Sequence, residues 1–226
     1  MEVSAIKYLI EYELFGQKLH ITSTHITLLI VMIALIVLAV LANRKMKHPD
    51  EVPGLFQNIL EIIVEKLDGM VSNSMGSWAS RYRNYIGTIF AFILVSNLSG
   101  VFGLRAPTAD FGVTFALGLA TFFIIQVSGV RVKKLKHFKA WGEPYIFLLP
   151  SNIIGDVAVP VSLSLRLFAN MLSGTMIMSL WYGMLQWIAL IPVSAFLHAY
   201  LDVFSGAIQT YVFAMLTMTY INDKIN

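Results

Sequence analysis

The chain has 226 residues, of which 57% are hydrophobic and 13% charged, against about 25% charged in ordinary soluble domains. Its mean hydropathy is +0.72. A water-soluble fold of this size cannot hide that much apolar surface, so the expected class is an all-α integral membrane bundle without a separate soluble domain. The absence of cysteine excludes disulfides and thiolate metal sites, and a net charge of +3 without any basic–aromatic groove excludes nucleic acid as a partner.

Residues 1–20 contain Glu2, Glu11 and Glu13 and lack a basic stretch ahead of an apolar core, so they read as an external N-terminal segment and not as a cleavable signal. A crossing helix needs about 20 mostly apolar residues. Residues 21–43 supply the first, ending at the basic run "NRKMKH". Residues 50–78 follow, with Phe56, Ile59, Leu60, Ile63, Leu67 and Met70 at helical spacing and Glu61, Glu65 and Asp68 opposite. That pattern predicts an amphipathic helix on the membrane surface or beneath its neighbours. Residues 84–104 and 112–130 make a hairpin, entered through Arg81 and Arg83 and left through Arg131, Lys133, Lys134, Lys136 and Lys139. Clusters of lysine and arginine mark the cytoplasmic side. They put the N-terminus outside, both ends of the amphipathic helix inside, and the "NDKIN" tail in the cytoplasm.

The stretch from 145 onward is predicted to form two long helices, 145–191 and 192–222, punctuated by Pro160 and Pro192. Residues 161–191 alone would span about 46 Å at 1.5 Å per residue, against a hydrocarbon core of about 30 Å. Both helices must therefore tilt steeply. Three ordinary spans are the competing parse, but no polar turn interrupts 167–191. In all, five crossings are expected.

Between Tyr145 and Asn222 the formally charged side chains are Asp156, Arg166 and Asp202. Arg166 lies within "PVSLSLRLFANMLSG", and helical spacing puts Ser162, Asn170 and Ser173 on its stripe. His198, Asp202, Ser205 and Gln209 form a second stripe. Lipid would leave such stripes unsatisfied, so they should face each other or a wet cavity. An arginine at mid-bilayer costs roughly 2.5–3.5 kcal/mol and does not neutralise. Two arrangements answer that cost: an internal Arg166–Asp202 pair that packs the bundle, or an anion on another chain. Gln209 is placed to hydrogen-bond the guanidinium. Asp202 and His198, at i and i−4, have the spacing of a proton relay, although His198 alone reads as a packed or interfacial histidine. Asn97 is a further polar group inside a span, and Asp156 lies near a helix entry.

These residues carry a resemblance. "PVSLSLRLFANMLSG" is similar to the signature of subunit a of F-type ATP synthases, of bacterial type. "IQTYVFAMLTMTYI" resembles that family's last helix, and "SNLSGVFGLRAPTADFGVTFALGLATF" its middle hairpin. The resemblance covers roughly 20–222. It implies a stator channel in which two offset half-channels reach the carboxylates of a c-subunit ring, with Arg166 matching the essential arginine between them. It implies the ring, the peripheral-stalk b subunits and the rest of the ATP synthase as partners, a multi-pass position in a bacterial plasma membrane, and ion translocation coupled to ATP synthesis. Gln209 and Asn170 match the family's glutamine and asparagine near the arginine. Asp202 and Asn97 match positions by the outer path, and Asp156 one by the cytoplasmic path. Thr175 stands where many members have glutamate, Ala169 where many have glycine, and Val159 where a lysine is common. The resemblance implies no cofactor and no catalytic site, consistent with the missing P-loop motif.

Two other classes compete. A secondary cation or proton transporter would use Arg166 and Asp202 internally, but no inverted repeat is visible. An intramembrane hydrolase would need GxSxG or HExxH, and neither is present.

Overall fold

The computed structural model describes residues 8–14, 17–45, 54–134, 147, 149–184 and 190–225. Among them, five helices are long and apolar enough to cross a membrane, and the helical membrane class holds. One addition precedes them. Strands β1 (Tyr8–Leu14) and β2 (Gln17–Thr22) pair antiparallel, with Leu14 opposite Gln17 and Glu11 opposite His20. Alternating Tyr8, Ile10, Tyr12 and Leu14 give β1 the period of two that a strand requires.

Helix α1 (Ser23–Lys45) starts where the Thr22 hydroxyl meets His25 Nδ1 at 2.7 Å. Its 23 residues reach about 35 Å, enough to cross. Only Thr24, Thr27 and Val31 are buried along its described side chains. A helix apolar all round has no preferred inner face, and this one leaves most of its surface to lipid.

Helix α2 (Leu55–Met75) is the expected amphipathic element, with residues 50–53 outside the described set. Its apolar stripe runs on into the last turns, where Met70 packs beside Val71 and Met75. Val71 and Met75 are buried, while Ile59 and Ile63 remain about half exposed. The reason is leverage: α2 meets the bundle through its last turns, against α3 and α7. Gly76, at φ +52°, ends α2 with its N–H on the Ser72 carbonyl. A 3₁₀ turn, Gly76–Trp78, then leads into α3 (Ala79–Leu98). Asp68 bridges that corner to Arg83 at 2.8 Å.

Helix α3 starts five residues before the predicted 84 and buries Tyr82, Ile86, Ile89, Ile93, Ser96 and Asn97. Those three- and four-residue steps trace one face. Turns Ser99–Phe102 and Pro107–Ala109 carry the chain to Asp110, whose Oδ1 accepts the Gly112 N–H at 2.9 Å and caps α4 (Phe111–Lys133).

Helix α5 (Leu149–Met184) is 36 residues long, about 54 Å. Pro160 lies inside it and does not mark a boundary. The chain next forms α6 (Leu190–His198), a π turn (Ala199–Phe204) and α7 (Ser205–Ile225). Pro192 falls in the first turn of α6, two residues inside the start, where a missing N–H has no intrahelical acceptor to lose. The α5 segment and the α6–α7 segment both exceed the hydrocarbon thickness, so they tilt or emerge from it.

Helix α7 is the packing axis. Gly206, Gln209, Thr210, Phe213, Ala214, Thr217, Met218, Ile221 and Ile225 are buried along it. Helices α3 and α4 lie against it, and α4 also lies along α5. Small residues set the closest crossings, as is usual in membranes. A Cβ added at Gly118 would stand 2.7 Å from the Pro160 carbonyl oxygen, and one at Gly206 would stand 3.0 Å from Asn97 Cβ. Those two contacts fix α4 on α5 and α7 on α3, and so fix where the polar groups of α5 and α7 meet.

Candidate ion-translocation site

Helix α5 has a packed side and an open side. Leu163, Ser164, Leu167, Met171 and Met178 are buried, whereas Ile154, Val157, Leu165, Met176 and Leu180 face outward. Arg166 belongs to the open side. It lines a shallow groove of about 680 Å³ whose other walls are α5 side chains such as Ile154, Val157, Val161 and Leu165. Among the described residues Arg166 is the only charged group in that groove, and no hydrogen bond or ion pair joins it to them.

The chain's two candidate counter-charges are engaged elsewhere. Asp202 Oδ2 lies 2.6 Å from His198 Nδ1. Asp156 receives Lys224 Nζ on both carboxylate oxygens at 2.7 Å, and Gln126 Nε2 at 3.3 Å. The internal Arg166–Asp202 pair considered from sequence therefore does not form. Asp202 sits in the π turn, and its carboxylate fills the space beside Gly100, 3.5 Å from where a Cβ there would stand. A Cβ at residue 100 would meet that carboxylate in ordinary van der Waals contact.

The two polar stripes meet at one point. Asn170 and Ser205 exchange hydrogen bonds at 3.1 and 3.2 Å across α5 and α7. Gly174 faces Leu201, whose Cβ would lie 3.9 Å from an added one. The rest of the first stripe does not join the second. Ser162 is exposed, and the exposed Ser173 donates back to the Ala169 carbonyl at 2.7 Å. Thr175, also exposed, donates to the Leu172 carbonyl at 2.9 Å. Gln209 is buried, and no hydrogen bond links it to Arg166 among the described residues. The expected Gln209–guanidinium bond is thus absent, because Arg166 points to the outer face and Gln209 to the inner one.

Asn97 is fully buried and saturated. Its amide donates to the Gly206 carbonyl at 3.0 Å and to Thr210 Oγ1 at 3.3 Å, and its oxygen accepts the Thr108 hydroxyl at 2.7 Å. It ties α3, the Pro107–Ala109 turn and α7 together. Such a group locks a wall more than it conducts.

Sequence reasoning missed three partners. Lys224 lies in the terminal tail and looked like ordinary interface charge. Gln126 gave no signal beyond being polar inside a span. Tyr182 donates or accepts at 2.9 Å with His198 Nε2, although sixteen residues separate them. Gln126, Asp156 and Lys224 also line a cavity of about 240 Å³ with Tyr220 and Asp223, room for several waters at about 30 Å³ each.

Register sets the spacing of these groups. Asp156 precedes Arg166 by ten residues on α5, about 15 Å. Asp202 stands a turn beyond the Asn170–Ser205 contact, roughly 10 Å past Arg166 in the opposite direction. The guanidinium thus lies between two acidic groups, Asp156 paired with Lys224 and Asp202 hydrogen-bonded to His198.

Most of the chain is similar to known proteins of one family. The family profile described as ATP synthase A chain matches residues 25–222. The sodium-ion-specific ATP synthase subunit a of Propionigenium modestum is 37% identical over 196 residues, 79% of this chain and 66% of that protein, just under two thirds of its length. ATP synthase subunit a of Moorella thermoacetica is 34% identical over 208 residues, 91% of this chain and 92% of its own length. A chloroplastic subunit a from Stigeoclonium helveticum is 34% identical over 226 residues, covering 95% and 86%. This chain belongs to the ATP synthase subunit a family.

Proposed function

We propose that this chain is the ion-translocating stator of a rotary ATP synthase, and that Arg166 separates two half-channels. The observation carrying this reading is a guanidinium on an outward apolar face, without a partner among the described residues and flanked by acidic groups that are held elsewhere. A charge so placed costs several kcal/mol unless an anion meets it. The anion must come from another chain, and the outward groove suits a helix of a c-subunit ring bearing a carboxylate. The b subunits of a peripheral stalk would hold the stator still.

The chemistry follows from the guanidinium's fixed charge. It favours the ionised form of a passing ring carboxylate, so the ion is released at the arginine and reloaded beyond it. It also opposes direct passage of a cation from one half-channel to the other. Lysine and arginine clusters orient the chain with the N-terminus outside and the C-terminus in the cytoplasm. In that orientation Asp202 and His198 belong to the outer path, and Asp156, Lys224 and Gln126 to the inner one. Transfer of one charge supplies about 2.3 kcal/mol per 100 mV.

In the assembled complex, Arg166→Ala is expected to abolish ATP-driven ion pumping while assembly persists. Coupled pumping retained by that variant would refute the reading. Cysteines placed at Leu165 and Ile208 should cross-link to the ring protein.

A further inference from the structure

The outer cluster is a continuous hydrogen-bonded line that runs inward. Tyr182, at 42% exposure, places its hydroxyl 2.9 Å from His198 Nε2. The opposite ring nitrogen, Nδ1, meets Asp202 Oδ2 at 2.6 Å. Side-chain exposure falls from 35% at His198 to 11% at Asp202. The geometry points to Tyr182 as the mouth of a proton wire, Tyr182–His198–Asp202, and to the proton as the ion admitted at this port. The inference rests on the stator reading above.

The imidazole decides the ion. A hard cation such as sodium takes a shell of oxygens, whereas here two nitrogens stand in line between two oxygens. An imidazole with a donor at one nitrogen and an acceptor at the other is instead a proton shuttle. The Tyr182 hydroxyl gives its proton to Nε2 and is re-protonated by outside water. The Nδ1 proton then moves to the Asp202 carboxylate, leaving one proton in at Tyr182 and one on Asp202. Once Asp202 has passed its proton inward, exchange of the imidazole protons with water, Nε2 releasing one and Nδ1 taking one up, restores the starting tautomer.

The surroundings leave this line undisturbed. The π turn that carries Asp202 is packed by α3, by the Ser99–Phe102 turn, by α5 and by α7. Among the described residues of those elements, no second charged group lies within ion-pair distance of Asp202. Past Asp202 the Asn170–Ser205 pair continues toward Arg166. The site therefore has an exposed entry and a buried acceptor, with uncharged polar groups onward.

The test uses the assembled ATP synthase in liposomes, with a pH-sensitive dye and radioactive sodium as the two probes. Wild type is expected to acidify the vesicles on ATP addition without sodium and to take up no labelled sodium. Tyr182→Phe keeps the ring and removes the hydroxyl; it should slow passive proton flux at least about tenfold, as loss of a positioned proton carrier does, with subunit yield unchanged. His198→Ala should slow it further, and added imidazole should restore flux, which a packing defect would not allow. Sodium uptake by wild type, full flux in Tyr182→Phe, or no rescue of an assembled His198→Ala complex would each overturn the wire. Arg166→Ala, measured alongside, separates the two claims. If it still pumps, the stator reading fails. If it stops while Tyr182→Phe runs at full rate, only the wire fails.

Discussion

The two sides of α5 are built on opposite principles. The packed side is specified by contact: Gly118 admits the Pro160 carbonyl, and Leu163 and Leu167 fill the space between α3 and α7. The open side is specified by what it lacks. It carries a row of outward aliphatic side chains and one cation, with none of the described residues of other helices lining the groove they form. On the function proposed above, the open side is half of an interface. Stability would then come from one side and activity from the other, so substitutions on the two sides should fail in different ways.

The strongest test of that division is charge. Arg166→Lys keeps the charge but loses the planar fork. Pumping should fall by roughly a hundredfold or more if the fork accounts for about 3 kcal/mol of a charge-assisted contact, with complex yield unchanged. Next comes the packed side. Gly118→Ala drives a Cβ against a backbone carbonyl, which should cost about 1–3 kcal/mol, seen as a lower denaturant midpoint for the detergent-solubilised complex. Asn97→Ala removes three hydrogen bonds and strands the Thr108 hydroxyl. A loss of about 1–3 kcal/mol is expected on the same measurement. Smaller still is the Asn170–Ser205 exchange, where a double-mutant cycle should return about 0.6 kcal/mol. Last, Leu165→Ala on the open side should change stability by no more than about 0.5 kcal/mol, yet weaken cross-linking to the ring. A large stability loss there would break the distinction between the sides.

Much of this was legible in the chain itself, and the reason is local. Five apolar runs, the basic loops between them and the charge poverty after Tyr145 each need only short-range pattern. Arg166 and Asp202 announced themselves by cost. What stayed hidden needed partners far along the chain. Lys224 reaches Asp156 across 68 residues, and Asn97 reaches Thr210 across 113. Which end of α2 is buried was not legible, because its apolar side runs the length of the helix and only the contacts of the bundle pick out Val71 and Met75 over Ile59 and Ile63.

The wider π turn ahead of α7 has a consequence for how the sequence can change. Residues Ala199–Phe204 hold one more residue per turn than the helices on either side need. The wider turn absorbs that extra residue, so removing one residue there would leave a regular helix with its downstream faces close to where they are. A residue removed from the regular part of α7 has no such slack and would turn everything beyond it by about 100°. Removed between Gly206 and Lys224, it would swing Lys224 away from Asp156. The π turn is therefore the place where the C-terminal helix can change length without losing its contacts.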